Sequence, residues 1–344
     1  MTLSPLPGPP LHTPLATPTP ATSADPAAFE AARNGAFVAA LPGTAVLEVS
    51  GADALPFLQG QLSNDVEGLR PGAAQWTTYN SPKGRMLATA LLWRTATGFR
   101  MALAADVAEP VRKRLSMFVL RSKAALATAD LAAIGVGGPL ARDAVAAALG
   151  IPVAPKSVTA FDGGEAIGLP DGRVLVVVAT DRAHSIAERL AAHATRAGED
   201  AWRWLAIRAG IADVRLATQE KHIAQTANWE VVGGVSFTKG CYPGQEIVAR
   251  VQHLGILKER AHAFHVDAPP PEPNTRIFLA GTDQTAGLVV DAVAVPGGGS
   301  DLIAVVHLVA LDGDLRLGMN DGPALAPLPL PYALPASAPK RIKL

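Results

Sequence analysis

The residues with the clearest chemical potential lie in one glycine-rich segment, GGVSFTKGCYPGQEIVARVQHLGILKER, at positions 233–260. The segment contains the only cysteine of the chain, Cys241, which follows Gly240 and precedes Gly244 by three positions. Glycines on both sides let the backbone turn sharply and approach another group closely. A positive charge such as that of Lys239 stabilises a thiolate over a thiol. The pattern leaves two readings open: an accessible, reactive sulfur, or a buried structural cysteine in a tight loop.

A single cysteine limits the chemistry that the chain can perform alone. It excludes an internal disulfide framework and a self-sufficient cysteine cage for zinc or for an iron–sulfur cluster. The histidines are scattered, and His262 and His265 are three apart in a predicted strand. Because such residues face opposite sides, they are poor co-ligands, and we expect no resident metal. A lone thiol is typical of a reducing compartment, which favours a cytoplasmic protein.

The composition is that of a globular protein with two or three domains. Of the 344 residues, 49% are hydrophobic and 17% are charged, which is ample for a core. Thirty basic residues balance thirty acidic ones, so no strong overall field attracts nucleic acid or an anionic membrane. Apolar runs such as RVLVVVAT are far shorter than the ~20 residues of a membrane-spanning helix. We expect a monomer with no direct nucleic-acid or membrane partner.

Both ends of the chain are rich in proline. Residues 1–30 lack the basic start and the apolar stretch of an export signal, and they are typical of a disordered leader. Residues 326–344 have a similar composition, which predicts a flexible tail.

The first structural unit between these ends mixes strands and helices. A strand is expected at residues 45–49, followed by a helix that Ser50 would cap. Several strands are expected over residues 74–104, and a helix from Val107 to Phe118. Basic residues gather at and after this helix. They form either a solvated helix face or a contact for an anionic partner: Arg112, Lys113, Arg114, Arg121 and Lys123.

Two further units follow along the chain. Residues 124–200 show a β-α-β-β-α order, which is typical of a ferredoxin-like unit. A helix is expected at residues 201–211, before an irregular stretch. From residue 257, short alternating strands predict a small barrel or sandwich.

Four blocks of residues form a recognisable set. The first is Lys239-Gly240-Cys241-Tyr242-x-Gly244-Gln245-Glu246, followed by Val248-Ala249-Arg250. The others are FLQGQLSNDV at 57–66, NSPKGRM at 80–86 and RAGI at 208–211. In their order along the chain, the four blocks resemble the motifs of the YgfZ family of folate-binding proteins. That family includes mitochondrial iron–sulfur assembly relatives and is related to the aminomethyltransferase (T-protein) of glycine cleavage.

The resemblance implies an α+β fold with a T-protein-like architecture of three domains around a central opening. It divides the chain into a discontinuous folate-binding domain (31–123 plus 201–256), a ferredoxin-like domain (124–200) and a C-terminal β-barrel domain (257–325).

The resemblance also implies that tetrahydrofolate, or another reduced folate, binds in the central cavity. A pterin needs a concave pocket with aromatic or apolar walls and a few polar partners. The functional thiol would be Cys241, tuned by Lys239. The candidate cofactor-binding residues are Gln59, Gln61, Asn64, Tyr79, Lys83, Arg85, Arg208, Gln225, Asn228, Gly240, Tyr242, Gly244, Gln245, Glu246 and Arg250. The polar ones among them could equally cap loops.

The sequence departs from the T-protein pattern in two features. In the T-protein, an aspartate after the Asn-x-x-x-Gly turn acts on the folate during methylene transfer. Here Leu87 and Ala88 stand at that place, and neither can accept a proton. A T-protein glutamate is replaced by Arg208, which could meet the glutamate tail of a folate. We therefore expect modest folate affinity and a preference for polyglutamylated forms.

Three functional hypotheses follow from these observations. The first is a folate-binding accessory protein that supports assembly or repair of iron–sulfur clusters in client enzymes, and through them tRNA modification. Its partners would be iron–sulfur enzymes or assembly proteins, because one thiol can hold a labile cluster or a persulfide only transiently. The second is a tetrahydrofolate-dependent aminomethyl or one-carbon transferase that uses other residues. The third is a non-catalytic scaffold with a vestigial folate pocket.

Overall fold

The structure, a computed structural model, describes residues 24–254 and 257–335. The α-helices of these residues are α1 (Pro26–Asn34), α2 (Ala54–Gln59), α3 (Ala105–Ser116), α4 (Ala141–Leu149), α5 (Ala183–Ala191), α6 (Glu199–Arg208) and α7 (Gln245–Leu254). The strands are β1 (Phe37–Ala40), β2 (Thr44–Ser50), β3 (Ala74–Asn80), β4 (Met86–Arg94), β5 (Gly98–Ala104), β6 (Ala125–Thr128), β7 (Leu131–Gly137), β8 (Val158–Phe161), β9 (Gly164–Gly168), β10 (Val174–Ala179), β11 (Thr195–Arg196), β12 (Glu259–Val266), β13 (Arg276–Leu279), β14 (Thr285–Ala294), β15 (Ser300–His307), β16 (Leu315–Leu317) and β17 (Leu325–Leu328). Among the described residues, no helix combines the length and apolarity needed to cross a membrane.

The first unit is built on a five-stranded antiparallel sheet in the order β3-β4-β5-β2-β6. Strand β4, MLATALLWR, is buried along nearly its whole length. Leu92 lies in the core beneath α2 and α3, whereas Leu91 and Trp93 face a second core shared with α6 and the third unit. Because both faces are covered, the strand is apolar at almost every position instead of alternating.

The second unit is a six-stranded sheet in the order β11-β1-β7-β10-β9-β8, with α4 and α5 packed on one face. Strand β10, VLVVVA, forms the buried centre. Helix α4 is followed by Gly150, whose φ of 73° gives the left-handed glycine cap that closes many helices. The order β7, α4, β8, β9, β10 and α5 agrees with the ferredoxin-like unit expected from the sequence, except that three strands instead of two lie between the helices.

Two strands lie on the other side of the expected domain boundary. Strand β6, expected to open the ferredoxin-like unit at residue 124, pairs instead with β2 of the first sheet. Strand β1, whose residues fall within the range 31–123 assigned to the first unit, pairs with β7 and β11 of the second sheet. Hydrophobic alternation shows which faces are apolar but does not identify the neighbouring strand, because tertiary packing decides the pairing.

The third unit is a six-stranded sheet in the order β16-β13-β14-β15-β12-β17. An isolated bridge between Arg316 and Ala324 joins the two ends of the sheet. The sheet therefore curls on itself, as expected for the barrel predicted from residue 257.

The leader predicted over residues 1–30 ends earlier than expected. Helix α1 begins at Pro26, a residue type that suits the first turn of a helix. The Asp25 carboxylate caps this helix by accepting a hydrogen bond from the Ala27 amide at 3.0 Å. Phe29 packs on Trp204 of α6 with 5.1 Å between the ring centroids. The proline-rich composition hid this packed helix, and residues 1–23 lie outside the described residues.

The tail predicted over residues 326–344 also contains folded structure. Strand β17 pairs with β12, and the Tyr332 hydroxyl donates a hydrogen bond to the Gly210 carbonyl at 2.7 Å. Proline is tolerated at a sheet edge, so its frequency here did not indicate the absence of structure. Residues 336–344 lie outside the described residues.

Two helix ends differ from the sequence-based expectation. Ser50 ends β2 and does not cap α2, which has Asp53 at its N-cap position. The Asp53 carboxylate instead accepts a hydrogen bond from the Lys123 amide at 2.7 Å. Helix α3 ends at Ser116, so Phe118 lies in the following loop. The expected helical spacing continued past the last residue with helical geometry.

Candidate functional site

The loop that carries Cys241 docks on the turn between β3 and β4. Gly244 has a φ of 78°, and a Cβ there would lie 2.5 Å from both the Gly84 Cα and the Ser81 carbonyl oxygen. Gly84 has a φ of 72°, and its Cβ would lie 2.8 Å from the Ile247 Cβ. Two backbones therefore approach at a distance that only glycine permits. Two of the sequence blocks meet at this point, which we call the glycine junction.

Lys239 anchors the same loop to the connection between α2 and β3. Its ammonium donates hydrogen bonds to the carbonyl oxygens of Gln59 at 2.6 Å, Leu62 at 2.6 Å and Asn64 at 3.1 Å. Three acceptors match the three N–H bonds of an ammonium. Burial lowers the pKa of Lys239 to about 8, against the opposing charges of nearby carboxylates. The structure thus gives Lys239 an anchoring contact that the sequence did not indicate.

Cys241 is exposed and unbonded at the tip of the loop, so the buried-cysteine alternative is wrong. A Cβ placed on Gly240 would meet no atom of the described residues within 4 Å, so this part of the structure leaves the loop open beside the sulfur. The next residue, Tyr242, is buried, and burial raises its pKa to about 12. Lys239 and Tyr242 therefore hold the loop from both sides and leave the thiol accessible to a partner.

The residues after the cysteine form the start of α7. The side chains of Glu246 and Arg250 pair at 2.8 Å on the exposed side of this helix. Gln225 anchors this helix, because its side-chain amide donates a hydrogen bond to the Val248 carbonyl at 2.7 Å. Gln245 is the first residue of α7 and is half-buried.

Several predicted folate ligands instead fix the backbone around the loop. The Gln59 amide donates to the Asp65 carboxylate at 2.9 Å, and its carbonyl oxygen accepts from the Val66 amide at 2.7 Å. Asn64 donates to the carbonyls of Trp76 at 2.7 Å and Gly233 at 2.8 Å. These are the loop-capping contacts that the sequence analysis left open as the alternative.

The other predicted polar ligands are divided between the core and the surface. Tyr79 is buried, and burial raises its pKa against the charge of Arg114. The Gln61 side-chain oxygen is buried without a hydrogen-bond partner among the described residues. Lys83 and Arg85 are exposed on the β3–β4 turn, where the Arg85 guanidinium donates to the Lys221 carbonyl.

Asn228 belongs to a buried polar cluster that joins the irregular stretch to the third unit. It adopts a left-handed φ of 61° and donates to the Ala261 carbonyl at 2.8 Å. Its side-chain oxygen accepts a hydrogen bond from Arg260 at 3.0 Å, and Arg260 pairs with Glu230 at 2.8 Å. Burial raises the pKa of Glu230, while Arg260 opposes the shift. Asn228 therefore serves the packing of two units.

A cavity of about 730 Å³ lies where the units meet. Its apolar wall includes Trp76, Leu205, Ile211, Val231 and Val232. Basic side chains from two units also line it: Arg142, Lys156, Arg173 and Arg208. Its one acidic lining residue within the described chain, Asp171, pairs with Arg173 at 2.7 Å. The cavity thus combines an aromatic wall with an excess of positive charge.

Comparison with known proteins agrees with this architecture, although no family model matches the chain. The tRNA-modifying protein YgfZ of Yersinia pseudotuberculosis (serotype O:1b, strain IP 31758) is 29% identical over 304 residues, which cover 84% of this chain and 90% of that protein. The protein of the same name from Klebsiella pneumoniae (strain 342) is 28% identical over 298 residues, covering 84% and 91%. The chain is similar to YgfZ proteins along most of its length. The resemblance predicted from the sequence blocks is confirmed.

A solved structure confirms the expected fold. The glycine cleavage system aminomethyltransferase T from Bartonella henselae matches with a TM-score of 0.72 at 15% identity, covering 88% of this chain and 87% of that one. The α+β, T-protein-like architecture expected from the resemblance to YgfZ proteins is therefore correct.

Sequence reasoning missed most of the cavity-lining residues. Among the candidate cofactor-binding residues, Arg208 is the one that lines this cavity. Trp76 lies only three positions before Tyr79, and Tyr332 was assigned to the tail. Arg142, Lys156 and Arg173 lie in the ferredoxin-like unit, outside the blocks that resemble YgfZ motifs. The one local signal was the presence of Trp76 in the predicted strands, because a partly exposed tryptophan in a strand often lines a pocket or interface.

Proposed function

We propose that this protein binds a reduced folate in its central cavity and supports the assembly or repair of iron–sulfur clusters in client enzymes. Cys241 is the working thiol in this proposal. The observation that carries it is the pairing, in one molecule, of a basic cavity with a tryptophan wall and an exposed cysteine on an anchored loop.

The cavity suits a folate in size and in lining. Ligand pockets of about 300–1,000 Å³ hold molecules of this class, and this cavity measures about 730 Å³. The Trp76 ring offers a surface for a flat heterocycle or an aminobenzoyl ring. Tetrahydrofolate, when bound, supplies a carrier for one-carbon units.

The basic side chains suit the anionic end of the same ligand. Arg142, Lys156 and Arg208 line the cavity, and the Arg208 guanidinium lies 4.0 Å from the Asp301 carboxylate. Each glutamyl residue added to a folate adds a carboxylate, so the proposal includes tighter binding of polyglutamylated forms.

The exposed thiol suits brief contact with a cluster that another protein holds. A single cysteine supplies one ligand to an iron atom, so the client must supply the others. The relatives are named tRNA-modifying proteins. We place the link to tRNA in iron–sulfur enzymes that modify it, because the balanced charge of this chain gives no overall basic field for RNA.

The folate half of the proposal is tested by calorimetric titration with tetrahydrofolate and with its triglutamyl form. The expected result is binding of both, with the triglutamyl form binding more tightly. Absence of heat and of a thermal shift at high concentration would instead support the vestigial-pocket scaffold. Incubation with an aminomethyl or methylene donor tests the transferase alternative, and catalysed one-carbon transfer would overturn the accessory role. Leu87 and Ala88, where the T-protein acid would stand, are buried in the apolar core.

The cysteine half is tested in a bacterial strain that lacks its own YgfZ protein. Cys241→Ser should bind folate normally and fail to restore iron–sulfur enzyme activity. Thr238→Ser, at another exposed position of the same loop, is the matched control and should restore activity fully. Full rescue by the Cys241→Ser protein would remove the thiol from the proposal.

A further inference from the structure

An exposed apolar turn follows α3, far along the chain from the cysteine loop. We call residues 117–123, MFVLRSK, the α3 tip. Met117 is 63% exposed, Phe118 is 44% exposed and Leu120 is 86% exposed. Large apolar side chains grouped at one surface point are unusual in a soluble protein unless something binds there.

The backbone holds the α3 tip in a fixed and strained form. Leu120 has a φ of 46°, a left-handed conformation that costs a residue with a Cβ roughly 1–2 kcal/mol. The Ser122 amide donates to the Val119 carbonyl at 2.8 Å, and the Lys123 amide donates to the Asp53 carboxylate at 2.7 Å. Leu120 is 86% exposed, so burial of its side chain does not offset the cost of this conformation.

The strand that follows the tip leaves one edge of a sheet open. Strand β6 ends the first sheet and, among the described residues, pairs only with β2. Its sequence, ALAT, contains neither a charged residue nor a proline. Charged residues and prolines are the features by which proteins usually prevent pairing at an exposed sheet edge. The backbone groups of β6 are therefore available to an additional strand.

The rim of this surface is basic. Arg121 and Lys123 are exposed, and neither forms a salt bridge within the described part of the chain. Lys113, on the preceding helix, is also exposed and shares Glu109 with Arg112. Among the described residues that line the pocket at the tip, the acidic one is Asp53, whose carboxylate accepts a hydrogen bond from the Lys123 amide.

We propose that the α3 tip and the edge of β6 together form a docking site for an extended, acidic segment of a partner protein, which adds to the sheet as a strand beside β6. Backbone pairing with β6 requires a polypeptide, and alternate apolar side chains of that strand would reach the tip. Acidic residues would meet Arg121 and Lys123. An RNA strand would match the positive charge of the rim. Single-stranded RNA stacks its bases on aromatic side chains, however, and of the three exposed apolar side chains of the tip one, Phe118, is aromatic. A second copy of this chain, bound through the same patch on both subunits, would bring two identical basic rims together, and their like charges would repel.

The test uses the full chain and a peptide of about ten residues that alternates glutamate and valine. Backbone amide shifts measured by NMR should change within residues 117–128. Leu120→Asn, which tolerates a positive φ, should weaken the affinity about tenfold, as should Arg121→Glu combined with Lys123→Glu. Val309→Asn is the matched control, because Val309 is 89% exposed but lies in the third unit. It should leave the affinity unchanged.

Three outcomes would overturn the proposal. The first is no shift at millimolar peptide, or shifts outside the surface. The second is tighter binding of a single-stranded RNA oligonucleotide than of the peptide at residues 117–128. The third is a concentration-dependent dimer that Leu120→Asn abolishes, because a second copy would then occupy the surface.

Discussion

The glycine junction and the central cavity are built in opposite ways. The junction joins two short contiguous motifs through their backbones, with Gly84 and Gly244 in contact. The cavity is assembled from single side chains that distant segments contribute, such as Trp76, Lys156 and Tyr332. Local backbone geometry demands particular residues at particular spacings, so the junction is visible in the sequence. A cavity wall demands only that side chains of suitable size and charge arrive at one place, and this leaves no local pattern.

The largest effect is expected from Gly244→Ala. The new Cβ would combine a strained φ with a contact of 2.5 Å to the backbone of Gly84. We expect the free energy of unfolding to fall by about 3–4 kcal/mol, measured by urea denaturation.

Alanine substitutions at two further glycines should cost less stability than Gly244→Ala. Gly233 has a φ of 83° but open space around it, so Gly233→Ala should cost about 1 kcal/mol. Gly240→Ala, with open space and no positive φ, should change stability by less than about 0.5 kcal/mol. Equal losses at the three positions would contradict a close backbone contact at the junction.

A pH-dependent effect of similar size is expected at His222, which lies beside the glycine junction and accepts a hydrogen bond from the Met86 amide through its carbonyl at 2.9 Å. Burial lowers the pKa of His222 to about 4, with Arg85 and Lys221 adding to the shift. Between pH 6.5 and pH 4, His222 is protonated in the unfolded chain and neutral in the folded protein. Stability is therefore fully present above pH 6.5 and falls by up to about 3 kcal/mol as the pH drops to 4.

Urea unfolding of the parent protein and of His222→Gln across this pH range isolates the histidine. Carboxyl groups with raised pKa, such as that of Glu230, act with the opposite sign in both proteins and cancel in the difference. The loss of stability on acidification should be smaller in His222→Gln than in the parent protein. An equal loss in both proteins would mean that His222 is open to water.

A smaller effect is expected for charge reversal in the cavity. Lys156→Glu should weaken binding of triglutamyl tetrahydrofolate about tenfold, because it places a carboxylate beside the anionic tail. Lys83→Glu is the control: Lys83 was named from the sequence block but lies on the exposed β3–β4 turn and does not line the cavity. Calorimetry that finds Lys83→Glu the more damaging change would place the ligand at the motifs instead of in the cavity.

The smallest effect on stability is expected for Cys241→Ser. The side chain is exposed and makes no hydrogen bond among the described residues, so the free energy of unfolding should change by less than about 0.5 kcal/mol. A loss above 2 kcal/mol in urea denaturation would mean that the sulfur is packed.

The sequence predicted those parts of the fold that local patterns determine. Strand β10 is a continuous apolar run, and α4 ends at a glycine that takes the left-handed cap. The resemblance assigned the cysteine segment and the NSPKG turn to one discontinuous domain, and both glycines at the junction belong to the quoted motifs.

The remaining features depend on contacts between distant residues. Nothing in Ala125–Thr128 distinguishes a strand of the first sheet from one of the second, and the partner of β1 lies far along the chain. Tyr332 and α1 were hidden by the proline content around them. Lys239 was predicted to act on the nearby thiol, yet its ammonium contacts three carbonyls that lie some 175–180 positions away.

The placement of β1 has a consequence for synthesis of the chain. Strand β1 ends at Ala40, and its neighbour β7 ends at Gly137, 97 residues later, since 137 minus 40 is 97. At about 5–20 residues per second, a ribosome needs roughly 5–20 seconds to supply that neighbour. During this interval the apolar strand FVAA has emerged without the sheet that will bury it. The first sheet has all its strands once β6 ends at Thr128, whereas the sheet that buries β1 also needs β11, which ends at Arg196.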